Sequence, residues 1–443
     1  MAGVATNLSG LAVLAAASVT AIPIVIRNSK ARLFVLVFGA IFVFQSSSGL
    51  SPAKLAYLGV LLLSLGVAVP VGNSRLARTG FGVAVVLALL ALLSAVRGND
   101  PINVIRDASN YFLLIAAAPL AYHFGRRLSE RTLMRFTVAA GLTGAYALTA
   151  NWTKIRGLGG ALPSAGASSN VLFMLGFSVV IARAFTSAKS GRWWALAAIL
   201  MAAGLATGSR GMLFLVLAPI TVAVWLRPLK AGSARRLARK ALRSAVIVTP
   251  ICFVVAIVAV SALSIDVGAA FDRISSVTHP GQGSANASLV ERQLQQDLAL
   301  SAFRQSPLVG SGPGTIWLKY HPTSNTYTAS FNLDTSFVLL GKWGIVGSLA
   351  ILILLWRWWR LLRPNRSVPD VWGLIVIGFV PVFLAQSALS SGVEDRGLPL
   401  TLILVGAGTI AHRRSSNSSA LGVEETSTRS TSNGVNGPPA RPH

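Results

Sequence analysis

Apolar runs approaching the length that crosses a hydrocarbon core, about 20 residues, recur from one end of this chain to the other. They fall near 5–26, 33–49, 55–72, 80–96, 109–124, 133–150, 169–188, 193–208, 211–226, 245–265, 334–356, 371–389 and 397–411. None shows the apolar/polar alternation of a barrel strand, so the pattern predicts helices, which satisfy their own backbone hydrogen bonds in lipid. The runs at 80–96 and 245–265 hold no charged residue, whereas 33–49 and 397–411 are short for a full crossing. The expected fold class is all-α, a polytopic integral membrane bundle of 12–13 transmembrane helices.

Polar residues punctuate these runs briefly, with one exception. Residues 266–333 form a long polar connection, and long ordered loops in compact proteins tend to carry function. Within it, Ser288–Arg304 has loosely helical apolar spacing, followed by a turn rich in Gly and Pro at 307–314. The chain thus divides into a bundle of ten spans (1–265), a large extracytoplasmic loop containing short helices (266–333) and three last spans (334–412). A cytoplasmic tail follows at 413–443, rich in Ser, Thr, Asn, Gly and Pro and expected to be disordered.

The placement of positive charge orients the bundle. Lys and Arg stay on the cytoplasmic side of short loops, and with 27–32 inside, alternation leaves twenty-five basic residues within and twelve outside. The N-terminal run has no basic leader, its first positive charge being Arg27, which reverses the order of a secretory signal and marks a retained span. Of the 443 residues, 53% are apolar and only 12% charged, with a net charge of +26. The low charge and the mean hydropathy of +0.64 exclude an ordinary water-soluble domain. The excess of positive charge reads as a topology signal and not a nucleic-acid footprint. Even the densest cluster, 227–243, has no aromatic residue for stacking on bases and fits an anchor against anionic lipid.

Chemistry is sparse. The single cysteine, Cys252, lies in an apolar run with no neighbouring cation or base to activate it. Phosphate-loop, zinc-protease and hydrolase motifs are missing, so neither a cofactor nor a metal is expected. Charged residues at the outer ends of spans remain, where charge is costly and usually has a reason. Arg210 stands out in the tight turn Thr207-Gly208-Ser209-Arg210-Gly211.

Three stretches carry a resemblance. They are TGSRG at 207–211, Arg292 followed by the PLVGSGPG turn at 307–314, and LDTSFVLLGKWGIVG at 333–347. In this order they resemble the O-antigen ligase and polysaccharide polymerase superfamily of bacterial inner-membrane glycosyltransferases. The resemblance implies transfer of a glycan from a polyprenyl-pyrophosphate carrier to a hydroxyl of a glycan, lipid or protein acceptor. The reaction would need no metal and would face outward from the cytoplasmic membrane. It implies that Arg210 and Arg292 hold the pyrophosphate; Arg156 and Arg304 are further outer-face candidates. Arginine suits that role because its planar fork binds phosphate oxygens in pairs and stabilises charge on the leaving group.

Where the family carries a histidine as base, this chain has Asp334. A desolvated carboxylate can serve as general base, and His321 in KYHPTSN is the rival, with an imidazole poised near neutral pH. Their structural alternatives are a helix N-cap for Asp334 and an exposed loop residue for His321. Arg97, Asp100, Arg106 and Asp107 read as a self-neutralising loop, and Glu394–Asp395–Arg396 as a solvated loop with an internal ion pair in preference to a contact with acceptor sugar. Lys342 is the one basic residue deep in a span, where snorkelling or a backbone contact would hold it. A secondary transporter or flippase is the competing function, for which ionisable residues at the membrane midplane and matching halves are expected.

Overall fold

The structure, a computed structural model, describes residues 27–43, 52–68, 75–155, 169–226, 284–321, 325–364 and 370–432, with fragments between 242 and 270. The expected span at 5–26 and Cys252 lie outside the described residues, and the run at 245–265 is described only in pieces. Eight helices come first: α1 (Ser29–Val43), α2 (Pro52–Ala68), α3 (Arg75–Val96), α4 (Pro101–Arg127), α5 (Glu130–Ile155), α6 (Asn170–Thr186), α7 (Ser190–Ala206) and α8 (Leu217–Leu226). A 3-10 turn, Arg210–Val216, leads into α8. Then come α9 (Ser284–Gln305), the strands β1 (Trp317–His321) and β2 (Thr326–Ser330), α10 (Val338–Leu362), α11 (Val371–Leu389), a 3-10 turn at Gly392–Glu394 and α12 (Gly397–Ser432).

Three of these, α3, α10 and α11, are long and apolar enough to cross a membrane, and shorter apolar helices accompany them. The architecture fits an all-α membrane protein. The two faces of α3 show why. Leu76, Gly80, Val83, Leu87, Leu90 and Ser94 recur at helical spacing and are buried, while Phe81, Leu89, Leu92 and Val96 on the other side are exposed. Such an apolar outer surface is a liability in water and the favourable face in lipid.

At the centre stands α6, buried continuously from Val171 to Ala182. It starts where the Ser169 hydroxyl accepts the Leu172 N–H at 3.1 Å, the usual use of serine before a first turn. Gly141 of α5 and Gly176 of α6 meet backbone to backbone, leaving no room for a Cβ on either, a contact by which membrane helices pack without large side chains. Asp100 caps α4 through the Ile102 N–H at 2.9 Å, with Pro101 at the position where a missing N–H costs nothing.

Two expectations change. The connection before α10 contains, besides the expected helix, an antiparallel hairpin in which Trp317 faces Ser330 and His321 faces Thr326. The alternation of Trp317, Lys319 and His321 is too short to announce a strand against the surrounding Gly/Pro turns. The stretch from 413, read as disordered, has helical backbone as far as Ser432. It continues a helix nucleated in the core and meets no proline before Pro438.

Candidate functional site

The Gly-rich turn at 307–314 is built into α10. At Gly344 (φ 58°, ψ −164°) that helix breaks, and the turn fills the gap. The N–H groups of Ile345 and Val346 donate to the carbonyls of Pro307 and Leu308 at 2.9 and 3.0 Å, while those of Ser311 and Gly312 donate to the carbonyls of Gly341 and Lys342 at 2.9 Å each. Gly310, Gly312 and Gly314 all have positive φ, the region a residue without Cβ enters freely. Arg97 donates to the Gly310 carbonyl at 3.2 Å, and the Ser94 hydroxyl to that of Pro313 at 2.8 Å. The turn is thereby tied to the end of α3.

Beside the break, Lys342 is fully buried, and its Nζ donates to Asp107 Oδ1 at 2.9 Å and Glu394 Oε1 at 2.7 Å. The Gly314 N–H donates to the second oxygen of Asp107 at 2.9 Å, and the Tyr111 hydroxyl to Glu394 Oε1 at 2.6 Å. The Tyr111 ring meets Trp343 edge-on at 4.9 Å. A charge removed from water is tolerable only when paired and hydrogen-bonded, and this cluster meets that condition with four chain segments.

Three sequence readings are corrected here. Lys342 lies ahead of the helix break, and carboxylates hold it in place of snorkelling or a backbone contact. Asp107 turns inward to Lys342, while Asp100 caps a helix and the Arg106 guanidinium sits 4.8 Å over the Phe331 ring, so 97–107 is not a self-neutralising loop. Glu394 is 5% exposed and belongs to the Lys342 cluster instead of a solvated loop. The missed signal was a lysine in an apolar run, which demands a carboxylate elsewhere.

Next to this cluster opens a cavity of about 700 Å³, bounded by the C-terminal end of α5, the start of α6, the end of α11 and the segment before α12. Lys154, Arg396, Asp334, Glu394, Gln386 and Trp152 line it. Arg396 Nε donates to Asn110 Oδ1 at 3.2 Å. Asp395 accepts the Ser169 hydroxyl at 2.6 Å, the Gly397 N–H at 2.7 Å and the Val171 N–H at 3.3 Å. It therefore satisfies the positive end of α6. Burial pushes the Asp395 carboxyl above its ordinary value, against the pull of those donors. Burial, then repulsion from Arg106, lowers Arg396.

The expected site residues divide. Asp334 lines the cavity and pairs with Arg292 at 3.4 Å. Its N–H donates to Gln295 Oε1 at 2.5 Å, so it is the receiver of a side-chain cap and not the cap of α10. His321 is outside the lining, at the end of β1, with Nε2 2.6 Å from Thr328 Oγ1 and Nδ1 3.3 Å from Glu291 Oε1. A chain of contacts joins the two, because Gln295 Nε2 also donates to Glu291 Oε1 at 3.1 Å. Arg304 is exposed near the end of α9 and is not part of the lining. Arg156 and the side chain of Arg210 lie outside the described residues. The backbone next to Arg210 does reach the site, since a Cβ on Gly211 would collide with the Gln386 amide. Among the described residues no group of three or more His, Cys, Asp or Glu is arranged to hold a metal. Set against models of known protein families and against curated proteins, the chain matches none.

Proposed function

We propose that this chain is a polytopic glycosyltransferase of the bacterial cytoplasmic membrane, crossing it 12–13 times with 266–333 on the outer face. It transfers a glycan from a polyprenyl-pyrophosphate carrier to an acceptor hydroxyl, as the resemblance to O-antigen ligases and polysaccharide polymerases implies. The observation that carries this reading is the composition of the cavity wall: Asp334 lines a space that two cations, Lys154 and Arg396, also line, and the two other carboxylates there, Glu394 and Asp395, are bonded to Lys342 and to Ser169. That is a base for an alcohol and ligands for a diphosphate in one enclosure.

In this mechanism Asp334 takes the proton of the acceptor hydroxyl as its oxygen attacks the anomeric carbon. The bond from that carbon to the carrier phosphate breaks, and its electron pair leaves on the pyrophosphate. Lys154, Arg396 and, by the family motif, Arg210 stabilise the charge that develops there, a contribution larger in the transition state than in the ground state. Arg292, paired with Asp334 at 3.4 Å, positions the carboxylate at the cavity wall. His321, bonded within the hairpin and its neighbouring helix, is the weaker candidate for proton transfer.

The test is to delete the gene, profile surface glycans and lipid-linked intermediates, and complement with single variants at normal protein level. Asp334→Asn is expected to lower transfer by about a hundredfold or more, with lipid-linked donor accumulating, and Arg210→Ala, Arg292→Ala and Arg396→Ala to lower it as well. Unchanged glycans in the deletion strain refute the proposal. A transporter or flippase is the second reading, favoured by the buried Lys342–Asp107–Glu394 cluster, because ionisable groups inside a bundle serve coupled transport. Substrate flux in proteoliposomes without covalent transfer is its signature.

A further inference from the structure

Two oxygen atoms in the cavity wall have no hydrogen-bond donor. Glu394 Oε2 and Gln386 Oε1 are both buried and unpartnered, on residues each 5% exposed that line the same space. The other halves of these side chains are occupied. Glu394 Oε1 takes the Lys342 ammonium and the Tyr111 hydroxyl, and the Gln386 amide nitrogen faces the Ser390 hydroxyl at 3.5 Å. Ser390 Oγ also donates to the main-chain carbonyl of Gln386 at 3.1 Å, and Gly211 leaves the space that the side-chain amide fills.

A buried acceptor without a donor carries an uncompensated desolvation cost, and two on one wall are a standing demand for donors supplied from the cavity. Hydrogen-bond donors that carry no charge fit here without adding a further cation to a wall that Lys154 and Arg396 already line. We infer that Gln386 Oε1 and Glu394 Oε2 form a hydroxyl-binding edge, the subsite at which vicinal hydroxyls of a sugar ring in the acceptor are held. Trp152 in the same lining supplies the apolar surface that pyranose faces pack against. The identity of the ligand as a glycan acceptor rests on the transfer reading above; the binding test does not need it.

Full-length protein in lipid nanodiscs, free of sugar detergents, would be titrated with methyl glucoside, methyl mannoside, methyl galactoside and methyl rhamnoside. Saturation-transfer NMR would report binding, and thermal unfolding would be measured in parallel. At least one glycoside is expected to saturate with wild type. Gln386→Leu, which keeps the side chain's bulk and loses its acceptor, is expected to weaken that glycoside by about 3- to 10-fold. Its thermal midpoint should be unchanged or higher, since an unsatisfied buried oxygen has gone. A merely structural glutamine predicts the opposite pairing, lower stability with unchanged binding. Gly211→Ala, which displaces the amide, should reproduce the binding loss. The inference is overturned if no glycoside saturates with wild type, or if both variants bind as wild type does. Those results leave the transfer proposal standing, because that falls on the glycan profile of the deletion strain.

Discussion

Replacing Lys342 by methionine tests the buried cluster quantitatively. The ammonium is completely enclosed and donates at 2.9 and 2.7 Å to Asp107 and Glu394. Its removal leaves two buried carboxylates with one proton donor each, the Gly314 N–H and the Tyr111 hydroxyl. Breaking a buried pair by deleting one partner costs about 3–5 kcal/mol, and the surviving donors place the expected loss toward the lower end, about 3 kcal/mol. A second variant isolates the cause. Lys342→Met combined with Asp107→Asn and Glu394→Gln removes all three charges, and the coupling among groups in one network should return about 1–3 kcal/mol of the loss. Equilibrium unfolding in mixed micelles, followed by tryptophan fluorescence, gives both values. A single variant within about 1 kcal/mol of wild type, well below the cost of an uncompensated buried charge, would refute the reasoning, as would a triple variant less stable than the single one.

Gly344→Ala should destabilise the chain sharply and reduce the yield of folded protein in size-exclusion chromatography, because φ is 58° there and a Cβ would stand 2.5 Å from the Leu308 carbonyl carbon and oxygen. Gly59→Ala, where a Cβ meets nothing within 4 Å, is the matched control and should leave yield unchanged. A pH series on Asp395→Asn follows from the raised carboxyl. A group whose folded value is raised adds stability at low pH that is lost as pH climbs from its ordinary value of 3.8 through the raised one. Wild type should therefore lose stability relative to Asp395→Asn across that window, and parallel curves would contradict the assignment. In complementation, His321→Ala should retain transfer that Asp334→Asn loses; the reverse result would move the base to the hairpin.

The helices between residues 75 and 226 and from 338 to 411 were legible because long apolar runs admit few alternatives in length and period. The hairpin was not, since five-residue strands beside glycine turns carry too little pattern. Asp334 was legible as a candidate through its place in LDTSFVLL. Glu394 and Asp107 were hidden by a different cause: their roles arise from Lys342, 52 and 235 positions away, and local charge balance offered an innocuous explanation for both, while Gln386 is a single amide in an apolar run. Gly211 was visible only as half of a motif, and its job of making room for Gln386 is a property of packing.

The separations inside that cluster also set an order of assembly. During synthesis Asp107 enters the membrane first, Lys342 follows 235 residues later, and Glu394 emerges 52 residues after that. Until the turn at Gly392–Glu394 arrives, the lysine has one counterion for a site built around two. A nascent chain that stalls before residue 394 therefore carries a buried lysine bonded to one carboxylate in place of two. Glu394, just ahead of the final helix, completes the lysine's bonding.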